Sequence, residues 1–139
     1  MEVVQKIEDT RRKAFTLSDI ASALVTAGDK EPALAALKQA MEVAQKIEHA
    51  YAKANALRKI ASAQAQAGDK ELALSTLKQA VEVAQKITDA RTKTSTLQTI
   101  ATALLKAGDV EQAVEVAQTI EDARTKTSTL QTIALAQVE

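Results

Sequence analysis

The residues able to carry chemistry are few and poorly grouped. His49 is the single histidine, and cysteine is absent. Zinc sites draw on several His and Cys ligands, so the usual set is missing. A Ser–His–Asp arrangement needs its histidine held between the other two groups. His49 instead shares a column with Asp9 and Asp89, each just before a helical stretch, which reads as a turn. Gly28, Gly68 and Gly108 stand singly, so no phosphate-binding loop is present. The 18 Asp and Glu residues are explained by helix surfaces and caps. The expectation is a protein that is not an enzyme and uses no metal or other cofactor.

Composition narrows the partners. The 18 acidic residues balance 18 basic ones, which argues against a nucleic-acid or anionic-membrane surface. Stacking aromatics for RNA are also lacking: the chain has one Phe, one Tyr and no Trp. No apolar run approaches the roughly 20 residues of a membrane span. The start, MEVVQKIEDTRRK, lacks the basic-then-apolar order of a signal peptide, so a cytoplasmic location is expected.

The elements that must position any site repeat along the chain. Residues 1–40 and 41–80 match at 25 of 40 positions without a gap. The segment AGDK at 27–30 returns at 67–70, and as AGDV at 107–110. Each unit holds two stretches with apolar residues three and four apart, the period of an amphipathic helix. Glycine ends the first stretch by taking the left-handed conformation, and Asp29, Asp69 or Asp109 caps the second. Asp9, Asp89 and Asp122 are read as caps of the first helices. Pro32 falls in a first turn, where a missing N–H costs little. The spacing predicts helices near 10–27, 31–47, 50–67, 71–87, 90–107, 111–120 and 123–138, with residues 2–7 as a short stub. They form one domain over 1–139, with units near 1–48, 49–88 and 89–121 and a terminal helix at 122–139.

One step breaks the period. Residues 81–101 recur at 114–134 with two differences, an offset of 33 rather than 40. Seven residues are missing from the second helix of unit three. Seven residues turn a helix by about 700°, only ~20° short of two turns. The apolar stripe therefore keeps its face through Ala113, Ala117 and Ile120, while the helix shortens by about 10 Å.

These columns resemble the tetratricopeptide repeat. Its small position in the first helix falls on Ala21, Ala61 and Ala101, and its large apolar positions on Leu17, Ile20, Leu57, Ile60, Leu97 and Ile100. Its second-helix positions fall on Ala33, Leu37 and Ala40, on Ala73, Leu77 and Ala80, and on Ala113. Here the unit is 40 residues, the aromatic positions carry Leu or Gln, and the proline closing the second helix is absent. The resemblance implies an all-α, right-handed α-solenoid of antiparallel helix pairs, TPR-like, with about three and a half repeats.

It also implies a concave groove lined by the first helices. The groove-facing columns fall on Phe15, Ser18 and Ser22, then on Asn55, Arg58, Ser62 and Gln66. Unit three supplies Ser95, Gln98, Thr102 and Lys106, and the last helix Ser128 and Gln131. Such a surface suits hydrogen bonding to a peptide backbone or a helix better than capture of a charged tail. A solvated helix face would look the same. For Phe15 the two readings are an aromatic anchor for a partner and packing against the N-terminal stub. The threonines of the twice-occurring RTKTSTLQT are expected to bond their own helix carbonyls. At the far end, Leu130, Ile133 and Ala134 lack a following helix, with Leu135 and Val138 nearby. That predicts an apolar end patch and homo-oligomers through the C-terminal helix, unless the chain is a piece of a longer array. The leading expectation is a scaffold binding a protein or peptide; the rival is a self-associating structural module.

Overall fold

A computed structural model describes the backbone of residues 2–138 and the side chains of residues 9–138. It contains seven helices and no strand among the described residues: α1 Glu2–Thr26, α2 Lys30–Gln45, α3 Ala50–Gln66, α4 Lys70–Ala84, α5 Ala90–Lys106, α6 Val110–Gln118 and α7 Ala123–Val138. Helices α2 to α7 each begin within one residue of the start their caps predict. Each helix packs on the next, and α1, α3, α5 and α7 also pack one on another in series. The result is a linear stack in which contacts stay between near neighbours.

Two turn types alternate. In the first, Gly28, Gly68 and Gly108 have φ of 87°, 91° and 91°. The Gly68 N–H donates to the Ala65 carbonyl and the Asp69 N–H to the Gln64 carbonyl, both at 3.0 Å, which closes the helix with a paired reverse bond. Asp69 and Asp109 then cap the next helix, accepting from the N–H groups of Leu72 and Gln112 at 3.1 Å. Asp29 occupies the same position without a side-chain capping bond, contrary to expectation. The cause is Pro32: it stands where Leu72 and Gln112 offer their N–H, and proline has none. A methyl group placed on Gly68 would lie 3.6 Å from Lys30 Nζ, and one on Gly108 3.5 Å from Lys70 Nζ. Each ammonium thus sits at the C-terminal end of the following unit's first helix, where the helix dipole favours it.

The second turn type reads QKIEH, QKITD or QTIED, and buries Ile47, Ile87 and Ile120 at 3%, 8% and 2% exposure. At the N-terminus the same pattern, QKIED over residues 5–9, makes no turn. Helix α1 runs through it, so Asp9 is not a cap and residues 2–7 are not a separate stub. Among the described residues no earlier helix packs back on this segment to force a turn.

The core is built from alanine and branched aliphatics. Ala21, Ala33, Ala40, Ala61, Ala73, Ala80, Ala101 and Ala113 are all within 1% of complete burial, with Leu37, Leu57, Ile60, Leu77, Leu97 and Ile100 beside them. One polar pair interrupts it. Thr76 Oγ donates to Gln64 Oε1 at 2.8 Å, both side chains buried, where units one and three carry Leu24 and Leu104 in the Gln64 column. The shortened α6, 9 residues against 15 in α4, keeps Ala113, Ala117 and Ile120 buried.

Two outcomes follow from these features. Gly68→Ala forces an L-residue into the left-handed region and is expected to lower unfolding stability by about 1–2 kcal/mol in denaturant titrations. Inserting LALSTLK between Glu111 and Gln112 restores the missing heptad and is expected to preserve cooperative thermal unfolding. An insertion of only five of those residues rotates the stripe and is expected to lower the melting temperature markedly.

Candidate functional site

A polar depression lies between α3 and α5, with α4 as its floor. It encloses about 570 Å³. Six expected groove residues meet there: Arg58, Ser62 and Gln66 from α3, and Gln98, Thr102 and Lys106 from α5. They share a face because each helix repeats about every four residues. Ala61, Ala65, Ala103 and Ala107 keep the walls low, and Ala73 and Leu77 of α4 supply the apolar bottom. No carboxylate lines the depression, so Arg58 and Lys106 give it a local positive charge on a chain with zero net charge.

Hydrogen bonds already made limit what these groups can do. Arg58 Nη2 donates to Asn55 Oδ1 at 3.0 Å, and Nε at 3.3 Å, which orients the guanidinium along α3. Thr102 Oγ donates to the Gln98 carbonyl at 3.0 Å. Its hydroxyl proton is committed, leaving lone pairs as acceptors. The neighbouring threonines behave alike: Thr96, Thr99, Thr129 and Thr132 donate to the carbonyls four residues earlier. The side-chain amides of Gln66 and Gln98 can both donate and accept, so the rim offers both halves of a peptide bond's hydrogen bonding.

The other expected groove residues lie elsewhere. Ser18 is 1% exposed, with Oγ donating to the Ala14 carbonyl at 2.9 Å, so it cannot line a groove. A short hydroxyl satisfied by its own helix can be buried where the longer Arg58 and Gln98 of the same column cannot. Phe15 and Ser22 are half-buried on α1. The Phe15 ring lies between two cations, 5.4 Å from the Arg11 guanidinium carbon and 4.9 Å from Lys59 Nζ. Lys59 also pairs with Asp19 at 2.7 Å. Phe15 thus belongs to an α1–α3 clasp of ring, cations and carboxylate. Asn55 holds Arg58, Ser95 lies at the other end of α5, and Ser128 and Gln131 are exposed on α7. Thr99 and Ala103 line the depression without having been anticipated, although Thr99 stands one helical turn beyond Ser95.

The apolar end patch is also redistributed. Ile133 is 2% exposed and Leu130 half-buried, both packed into the core, so they are not open for self-association. The preceding helices cover them without any following helix. Of the expected patch, Ala134, Leu135 at 69% and Val138 at 84% are exposed.

A second depression of about 600 Å³ lies at the starts of α3 and α5, lined by His49, Tyr51, Ile87, Asp89, Thr92 and Ser95 among others. Three of its polar groups, His49, Asp89 and Thr92, are occupied with capping. His49 Nδ1 accepts from the Ala52 N–H at 3.3 Å, and the ring meets Tyr51 edge-on at 6.5 Å. Asp89 Oδ2 accepts from Thr92 Oγ at 2.6 Å and Thr92 N–H at 2.9 Å, and Asp122 does the same with Thr125. Among the described residues no group of three His, Asp and Glu could hold a metal.

Comparison with known proteins speaks to the fold. No protein-family model matches the chain, and a search of curated proteins returns no match. Among solved structures the chain is similar to Ton1535 from Thermococcus onnurineus NA1, with a TM-score of 0.74 and 23% identity. The similarity covers 99% of this chain, which spans 42% of the length of that one. The likeness is one of helical architecture. No helix among the described residues is long and apolar enough to cross a membrane.

The caps make a pH prediction. The Thr92 hydroxyl, then its backbone N–H, hold the Asp89 carboxyl below its usual value, and Thr125 does so for Asp122. A depressed folded-state pKa contributes stability that is complete above the unfolded value of about 3.9 and is lost as pH falls through the folded value. Thr92→Val with Thr125→Val is expected to lower the melting temperature at neutral pH, and the gap from wild type is expected to close in strong acid.

Proposed function

We propose that this chain is a non-enzymatic scaffold that binds an extended peptide or a helix in the depression between α3 and α5. The supporting observation is the convergence of Ser62, Gln66, Gln98 and Thr102 on one open surface above a floor of Ala73 and Leu77. Small walls let a peptide approach the helices closely. The glutamine amides meet its N–H and C=O groups, and Thr102 accepts from its N–H. Arg58 and Lys106 stand at the rim, so peptides with acidic side chains bind better than basic ones. The regular alternation of helix pairs, and the buried alanines in the matching columns, favour a right-handed, TPR-like solenoid for the chain.

The experiment is selection from a displayed library of random linear peptides, followed by calorimetry on the enriched sequences. Ser62 is exposed, so Ser62→Trp fills the depression without disturbing the core. That variant is expected to bind at least about tenfold more weakly, a loss of roughly 1.4 kcal/mol. Equal affinity for the filled variant rejects the site.

A further inference from the structure

Helices α1, α3, α5 and α7 are one helix used four times, so equivalent positions report what covers each face. Ile20 of α1 is 45% exposed, whereas its equivalents Ile60, Ile100 and Ile133 are 0%, 0% and 2% exposed. Thr16 is exposed, while Ala56, Thr96 and Thr129 are buried at 1%, 7% and 3%. Ala27 is exposed, while Ala67 and Ala107 are 5% and 8% exposed. Thr16, Ile20 and Ala27 share one face of α1. In α3, α5 and α7 that face meets the preceding unit.

The opposite trend marks the other face. Ala21, Ala61 and Ala101 are 0%, 1% and 0% exposed, whereas Ala134 of α7 is exposed. Gln64 and Leu104 are buried, whereas Gln137 is exposed. Ala14 and Ala54 are fully buried, whereas Thr127 is exposed. This face meets the following unit. The chain therefore carries the two complementary halves of an interface it forms three times internally, between α1 and α3, α3 and α5, and α5 and α7.

We propose that copies of this chain associate head to tail, the Ile20 face of α1 in one copy seating on the Ala134 face of α7 in another. The occupant is a second copy because that is the surface each face meets at every internal junction. Thr127, Gln131, Ala134 and Val138 along the α7 half carry no charge, and Arg124 stands one turn before them. The small alanine side chain leaves room for an incoming isoleucine. The two patches differ, so the contact is heterologous and adds copies in series, without the closure of a two-fold dimer. The peptide-binding depression, made by α3, α4 and α5, is not involved.

Sedimentation of the 139-residue chain from about 10 μM to about 1 mM tests this by mass action. The average mass is expected to rise with concentration and to pass that of a dimer. Ile20→Lys and Ala134→Lys each block one end at an exposed position, so each alone is expected to stay monomeric with an unchanged circular-dichroism melt. Mixed in equal amounts they are expected to give a one-to-one dimer and nothing larger, because each retains the end the other has lost. A wild-type chain that is monomeric throughout, an assembly that stops at a dimer, or a mixture that stays monomeric overturns the proposal.

Discussion

The close approach of helices at alanine carries the structure. Ala21, Ala61 and Ala101 in the first helices and Ala33, Ala40, Ala73, Ala80 and Ala113 in the second are almost wholly buried. A methyl group lets the axes approach closely, and a larger residue there strains the packing by about 1–3 kcal/mol. The aliphatic side chains beside these points, such as Leu57, Ile60 and Leu77, then fill the volume that the close approach leaves. A core without tryptophan and with little other aromatic content is sufficient because the same small interface recurs at each junction.

That constraint explains how the third unit tolerates its missing residues. Removing seven residues returns a helix to almost the same face. Ala113, Ala117 and Ile120 therefore remain in the buried column although α6 has lost much of its length. Glycine and aspartate at each tight turn keep the period through this change. The left-handed glycine stops one helix, and the next residue starts another. Unit one deviates in chemistry alone, since Pro32 removes the N–H that Asp29 would have accepted.

Polar groups divide into those the fold consumes and those it leaves open. Ser18, Thr96, Thr99, Thr102, Thr129 and Thr132 satisfy helix carbonyls, and His49, Asp89 and Asp122 cap helices. Phe15, Lys59 and Asp19 tie α1 to α3. What remains open is the α3–α5 depression and the two faces at the ends of the stack. Both arise because units stack side by side.

Periodicity and punctuation made the helices legible before any coordinates. Six of the seven starts follow from caps, and the buried columns follow from residues three and four apart, because both are local properties of the chain. Six groove residues meet in one depression because helical spacing alone puts Arg58, Ser62 and Gln66 on one face. Burial depends on neighbours and was less legible: Ser18 sank into the core, Ile133 was covered by preceding helices, and Ile20 was left open. The sharpest contrast is QKIED against QTIED. The first continues a helix through Asp9, and the second turns at Asp122, with one residue different between them. Local sequence by itself determined where helices can form and which faces are apolar. Only the tertiary structure decided whether this segment bends, because the turn exists where an antiparallel partner buries its isoleucine, as at Ile120, and holds the chain back on itself.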